Sequence, residues 1–109
     1  MQIKGDNLTH VKRANRGAIL KLLHEQGAMS RKKLAEALRL TPAAISKITG
    51  ELIAEGLVRE GESVPADGGI GRREVLIELE TRAYCALGVL INIGQAVLSA
   101  VWLDGSVIF

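Results

Sequence analysis

The sequence predicts an α+β fold in which three helices are followed by a β-hairpin and then by further strands. Through residues 1–56 the apolar residues recur three or four positions apart, and hydroxyl residues suited to capping precede two of the helices. After Gly56 the apolar spacing changes to that of strands, and a loop rich in glycine separates two short apolar runs. Helix, helix, helix, strand, loop and strand is the order of a winged helix–turn–helix.

The first helix is predicted to begin at a cap formed by Asp6 or Asn7 and to run to about Gln26, where Gly27 ends it. One side of this helix has the spacing of a core-facing surface. The residues on that side are Leu8, Val11, Asn15, Ile19, Leu22 and Leu23.

A tight turn is expected between the second and third helices. Ser30 is the predicted N-cap of the second helix, and Arg39-Leu40 forms the turn. Thr41 then caps a third helix, which has Pro42 at its first position, where a missing N–H costs nothing. The positions expected to be buried are Leu34, Ala35 and Leu38 in the second helix and Ile45, Ile48 and Leu52 in the third.

The other face of the third helix is made of small and hydroxyl-bearing side chains. Ala43, Ser46, Lys47 and Gly50 recur at i, i+3, i+4 and i+7. A solvated helix face is normally crowded with Glu and Lys, whereas this one lets a partner approach the backbone, as a DNA major groove requires. The two helices taken alone are equally compatible with a fragment of a helical bundle.

Residues 57–62 and 75–79 are predicted to pair as strands. The loop between them, from Pro65 to Arg73, is rich in glycine and ends in Arg72-Arg73. Such a tip can lie along a DNA backbone or enter a minor groove. A flexible solvated hairpin is the alternative, and the position directly after a candidate recognition helix favours a wing.

Thr81-Arg82 marks an expected junction, which divides the chain into a DNA-binding domain over residues 1–80 and the start of a second domain over residues 81–109. Strands are predicted over 84–97, 98–103 and 107–109, with a hairpin turn at Asp104-Gly105. Strands this apolar need a cover. We therefore expect that the chain is a fragment or that its last segment pairs with another copy.

Charge and composition favour a cytoplasmic protein that binds a polyanion. The net charge is +2, but residues 1–56 hold ten Lys and Arg against five Asp and Glu, whereas residues 57–109 hold four against seven. Cys85 is the single cysteine of the sequence and lies in an apolar run, so we expect it to be buried and inert. His10 and His24 are expected to lie on helix surfaces, and their spacing is not that of metal ligands. Polar residues and glycines interrupt the apolar stretch 84–103, so we reject a membrane span, and the start of the chain has no apolar signal segment.

Three stretches resemble the ROK (repressor, open reading frame, kinase) family of transcription regulators, the group of the xylose and N-acetylglucosamine repressors. Residues 11–20 resemble the opening helix of that family, residues 41–48 the start of its recognition helix, and Gly69-Ile70-Gly71-Arg72-Arg73 its wing. The resemblance implies a winged domain before a sugar-binding domain built like an actin-type sugar kinase, of which residues 84–109 would be the first strands.

The same resemblance implies a sequence-specific DNA-binding repressor of sugar transport or catabolism genes. Because one winged module makes few base contacts, we also expect the protein to bind DNA as a homodimer. The sugar effector and the zinc motif of the family would bind beyond Phe109, so no cofactor or metal is expected in this chain. Enzymes of the family carry Gly-Val-Asp-Ile-Gly-Gly-Thr, and the matching residues 88–94 have Leu90 in place of the carboxylate and Asn92 and Ile93 in place of two glycines. A backbone that approaches phosphate closely needs those glycines, so kinase activity is not expected.

The predicted DNA contacts come from the second and third helices and from the wing. Hydroxyl groups of the third helix can hydrogen-bond to base edges or phosphates, its alanines can meet thymine methyls, and basic residues can bind phosphates or a narrowed minor groove. The DNA-binding residues are expected to be Arg31, Lys32, Thr41, Pro42, Ala43, Ala44, Ser46, Lys47, Arg72 and Arg73. The alternatives are a small-molecule kinase fragment and a winged helix that contacts only proteins.

Overall fold

The computed structural model describes residues 4–66, 71–82 and 84–109, with only the backbone described for residues 4–8. The elements, in chain order, are α1 (Lys4–Gln26), β1 (Met29–Ser30), α2 (Arg31–Leu38), α3 (Pro42–Ala54), β2 (Val58–Pro65), β3 (Arg73–Leu79), β4 (Cys85–Asn92) and β5 (Gln95–Trp102). The strands form a three-stranded sheet in the order β1-β3-β2 and a separate pair, β4-β5. The predicted α+β architecture is confirmed.

The predicted caps of α2 and α3 are confirmed. The Ser30 hydroxyl accepts a hydrogen bond from the Lys33 N–H at 3.1 Å, and the Thr41 hydroxyl accepts one from the Ala44 N–H at 3.1 Å. Each hydroxyl satisfies a backbone donor that the first helical turn leaves without a partner, so both helices begin where their sequence places a cap.

The core lies where α1, α2 and α3 meet the first sheet. Its buried residues are Ile19, Leu23, Leu34, Ala35, Ile45, Ile48, Leu52, Val58 and Ile77. The predicted buried stripe of α3 is therefore confirmed. Thr49 joins it, because its fully buried hydroxyl donates to the Ile45 carbonyl at 2.7 Å, which removes the cost of burying a polar group.

Two expectations for α1 are wrong. The helix already includes Lys4, so Asp6 and Asn7 lie inside it rather than at its cap. Val11 is 56% exposed, since the packed part of α1 is its C-terminal half, from Ile19 onward. The side chain of Leu8, also expected in the core, lies outside the described residues.

The first sheet contains one strand that the sequence pattern did not indicate. β1 pairs Met29 with Ile77 and Ser30 with Leu76, and a strand of two residues is too short to show a period. β2 and β3 are longer than expected and pair from Val58 and Leu79 out to Pro65 and Arg73, with an irregularity in the register between Glu60 and Ser63. The tip of the hairpin, residues 67–70, lies outside the described residues.

The second sheet is a hairpin of β4 and β5 that pairs from Cys85 and Trp102 to Asn92 and Gln95. Ile93-Gly94 forms its turn, with Gly94 at φ 74°, so the single strand expected over 84–97 is wrong. The expected turn at Asp104-Gly105 is confirmed, because the Gly105 N–H donates to the Trp102 carbonyl at 2.9 Å. The strand expected over 107–109 is reduced to one bridge between Val101 and Val107.

The β4-β5 hairpin is largely exposed, and a hydrogen bond links the residue before it to the end of α3. Cys85 is exposed rather than buried, since most of β4 and β5 is uncovered. The Tyr84 hydroxyl, just before β4, donates to the Glu55 carbonyl at the end of α3 at 2.8 Å. His10 and His24 are exposed on α1, as expected. Among the described helices, none is both long and apolar enough to cross a membrane.

Candidate nucleic-acid interface

The outer face of α3 is open down to the helix backbone. Ala43, Ser46, Lys47 and Gly50 are all exposed, whereas the opposite side of the helix lies in the core. A Cβ built on Gly50 would meet no atom within 4 Å, so the glycine is not required by packing. This face leaves room for a ligand as large as a nucleic-acid groove.

A cleft of about 430 Å³ separates α2 from the beginning of α3. It is lined by Arg31, Lys32, Ala35, Glu36, Leu40, Pro42 and Ser46. Four of the predicted contact residues therefore lie around one cleft. Lys47 and Ala44 lie on the other side of α3, in a second cleft that they share with Val11 and Asn15 of α1.

Arg31 and Lys32 are neighbours in sequence but differ in their surroundings. The Arg31 guanidinium is half-buried, pairs with the Glu60 carboxylate at 3.0 Å and donates from Nε to the Thr49 hydroxyl at 3.3 Å. It ties α2 to α3 and to β2, which leaves only part of its fork of five donors for a ligand. Lys32 is exposed, and its ammonium group has no hydrogen bond or ion pair to the rest of the described chain.

The two wing arginines are also held differently. Arg73 donates from Nε to the Ser63 hydroxyl at 3.1 Å and from Nη2 to the Ser63 carbonyl at 2.6 Å, across the β2-β3 pair. Arg72 contributes its carbonyl, which accepts from the Ala66 N–H at 3.1 Å. Its exposed guanidinium makes no hydrogen bond or ion pair within the described ranges. Arg72 is thus the wing arginine with a side chain available to a ligand.

Two carboxylates at the C-terminal end of α3 pair with basic residues of α1. Glu51 pairs with Lys12 at 3.3 Å and with Arg16 at 3.9 Å, and Arg16 also pairs with Glu55. Exposed pairs contribute little to stability, but here they compensate the negative charge of the candidate recognition helix. Sequence reasoning missed this network, although two acids four positions apart at the end of α3 and two bases four positions apart on α1 were a readable signal.

The described residues hold no group of three or more His, Cys, Asp or Glu side chains placed to bind a metal ion. The surface instead combines an open helix face, flanking lysines and an arginine at the base of a hairpin tip. Three helices and a β-hairpin arranged in this way define a winged helix–turn–helix, a class of nucleic-acid-binding domain.

Comparison with known proteins agrees with this class. Residues 14–63 match the model of the MarR family. The chain is 35% identical over 102 residues to the "DNA-binding transcriptional dual regulator NagC" of Escherichia coli strain K12, an alignment that covers 94% of this chain and 25% of that protein. It is 34% identical over 93 residues to the "DNA-binding transcriptional repressor Mlc" of the same strain, covering 85% and 23%.

A solved structure described as a ROK family transcriptional regulator, homologous to the E. coli Mlc protein, superposes with a TM-score of 0.72 at 29% identity. It covers 92% of this chain, and the match accounts for 25% of that chain. A putative xylose repressor of Caldicellulosiruptor sp. is 34% identical over 79 residues, 72% of this chain and 19% of that protein. The chain belongs to the ROK family. It spans about a quarter of the length of NagC and of the solved ROK regulator.

Proposed function

We propose that this chain is the DNA-binding part of a transcriptional repressor that responds to a sugar and controls sugar transport or catabolism genes. The observation that supports this most is the bare, exposed face of α3 opposite a helix side packed into the core. The relatives named above are described as DNA-binding regulators, which agrees with the proposal.

The proposed mode of binding inserts α3 into the major groove. The Ser46 hydroxyl can donate to or accept from a base edge, and Ala43 can contact a thymine methyl group. Because Gly50 has no side chain, the helix can come close to the groove floor along its length. Lys32 and Lys47 lie on the two sides of α3, where the phosphates that border the groove would pass.

The wing would then follow the DNA into the neighbouring minor groove. Arg72 is the residue proposed to enter it, because its guanidinium is exposed and makes no bond within the described part of the hairpin. Arg73 would hold the hairpin in shape through Ser63. A narrow, A·T-rich minor groove concentrates negative potential and attracts an arginine.

The remaining assignments concern the whole protein. Residues 1–80 would be the DNA-binding domain and residues 81–109 the start of a sugar-kinase-like domain whose later part binds the sugar effector. The protein would be a cytoplasmic homodimer without enzymatic activity. The expected lack of enzymatic activity is supported by residues 88–94. Leu90, in β4, stands in place of a carboxylate, and the fully exposed Ile93, in the β4-β5 turn, occupies a position that a phosphate-binding loop would give to glycine.

Ser46→Glu tests the proposed insertion of α3, since it places a carboxylate in the middle of the exposed face. The probe is a duplex that the wild-type chain enriches from a randomised library, with binding followed by fluorescence anisotropy. Affinity for this duplex should fall by about a hundredfold or more, to the level of a scrambled duplex. Ala37→Glu, on an exposed position of α2 that does not line the cleft, is the matched control and should bind nearly as the wild type.

The salt dependence of the wild-type chain separates DNA binding from protein contact through the same helix face. Counterion release predicts a linear fall of log affinity with log salt concentration, whereas an apolar protein contact predicts little change.

In the substitution experiment, tight binding by Ser46→Glu would show that α3 does not enter the groove.

A further inference from the structure

Arg39, in the turn between α2 and α3, has a backbone conformation that L-amino acids rarely adopt. Its φ is 54°, in the left-handed region. The chain places glycine at every other described position with φ in this region, namely Gly27, Gly56, Gly71, Gly94 and Gly105. A side chain at such a position is strained, because its Cβ crowds the following carbonyl.

The backbone of the turn explains the conformation but not the arginine. The N–H groups of Arg39 and Leu40 both donate to the Ala35 carbonyl, the second at 3.0 Å, and Leu40 packs against the core. This is the arrangement that closes many helices, and it favours glycine at the left-handed position. The fold therefore requires the left-handed backbone and gains nothing from the side chain that occupies it.

The Arg39 side chain is also free where most other arginines are engaged. It is exposed and has no hydrogen bond or ion pair with another described residue. By contrast, Arg16, Arg31, Arg59 and Arg73 each bond to a neighbouring side chain or carbonyl. Strained residues retained without an internal partner concentrate at functional sites.

The position of Arg39 relates it to the cleft between α2 and α3. It follows Glu36 by three positions and Lys32 by seven, and both of those residues line the cleft. Leu40, which comes directly after Arg39, and Pro42, three positions after it, line the cleft as well. Arg39 does not itself line the cleft, but it lies three residues before Pro42, with which α3 begins, and a helix N-terminus favours an anion.

We propose that Arg39 binds a DNA backbone phosphate beside the N-terminus of α3, an inference that rests on the proposed function. A guanidinium can grip a phosphate through two parallel N–H donors, which also sets the angle at which α3 meets the groove. The contact is to the backbone, so it strengthens binding to every sequence and carries little base preference.

Arg39→Gly separates a phosphate contact from a structural role, because thermal stability should rise whereas DNA affinity should fall. Glycine relieves the left-handed strain, so the midpoint of thermal unfolding should rise by roughly 2–5 °C. Affinity for the duplex enriched by the wild-type chain should fall by about five- to tenfold, and so should affinity for a scrambled duplex. The fall of log affinity with log salt concentration, measured between about 50 and 200 mM, should become shallower by about 0.9, which corresponds to one phosphate contact.

Two further variants complete the experiment. Arg39→Lys keeps the charge but loses the two parallel donors, so it should keep the salt slope and lose part of the affinity. Lys21→Ala removes one positive charge from an exposed position of α1 and should leave both unchanged. If Arg39→Gly binds as tightly as the wild type with the same salt slope, the phosphate contact is refuted while the proposed function stands. If the wild-type chain enriches no duplex, the proposed function fails and the contact fails with it.

Discussion

The two wing arginines should respond differently to truncation, although they are adjacent in sequence. Arg72→Ala removes a guanidinium that makes no bond within the described hairpin, so nothing in the described fold should change. Arg73→Ala removes two hydrogen bonds to Ser63, at 3.1 and 2.6 Å, which join β2 to β3. The loss should therefore appear in DNA affinity for the first variant and partly in folding for the second.

The expected magnitudes follow from these contacts. An arginine in a narrow minor groove contributes about 1–3 kcal/mol, so Arg72→Ala should weaken binding roughly 5- to 150-fold without shifting thermal unfolding. The Arg73 hydrogen bonds are exposed, and their loss should lower the free energy of unfolding by about 1 kcal/mol or less. Affinity should fall less than for Arg72→Ala, since only the shape of the hairpin is disturbed.

The assay uses duplexes that differ only in the base pairs beneath the wing. Replacing A·T pairs there by G·C should weaken binding of the wild-type chain and should have little further effect on Arg72→Ala, because both changes remove the same contact. Arg59→Ala, at the opposite end of the same hairpin, where Arg59 pairs with Glu78 at 2.8 Å, is the control. Equal affinities for wild type and Arg72→Ala, with A·T discrimination intact, would refute a role for the wing.

Three further outcomes follow from single side chains. Ile45→Ala, at a fully buried position, should lower the free energy of unfolding by about 2–5 kcal/mol, as measured by urea denaturation. Cys85 should react with a thiol reagent in the native protein, because it is exposed. Hydrogen bonds from the Ser106 hydroxyl and N–H hold the pKa of Asp104 below its usual value, so this carboxylate stabilises the turn above its unfolded pKa. That stabilisation is lost as pH falls through the folded pKa, and NMR titration of Ser106→Ala should return the Asp104 pKa toward the ordinary value.

Local chemistry made the helix–turn–helix readable from the sequence. The caps at Ser30 and Thr41 and the buried stripe of α3 depend on residues three to seven positions apart, so their signals lie within one short window. The bare face of α3 followed from the same spacing. These features did not depend on how the rest of the chain packs.

Several features that the sequence did not reveal depend on contacts that are distant in sequence. β1 exists because Met29 meets Ile77, and two residues contain no periodic signal. The pairing of Arg31 with Glu60 likewise depends on where the hairpin lies against α2. Cys85 was expected to be buried because its neighbours are apolar, but apolar neighbours bury a residue only where another layer covers their strand.

The uncovered β4-β5 hairpin predicts that this chain associates with itself, and that association should strengthen DNA binding. One face of the pair carries an exposed apolar patch, whose residues are each more than half exposed: Leu87, Val89, Ile91 and Leu98. Exposed apolar patches of this kind often mark interaction sites. A single winged module makes few base contacts, so a dimer on two half-sites should bind far more tightly. Sedimentation velocity should show dimers that Val89→Lys disrupts, with a parallel loss of affinity for two half-sites. A wild-type monomer that binds one half-site at nanomolar concentration would contradict both expectations.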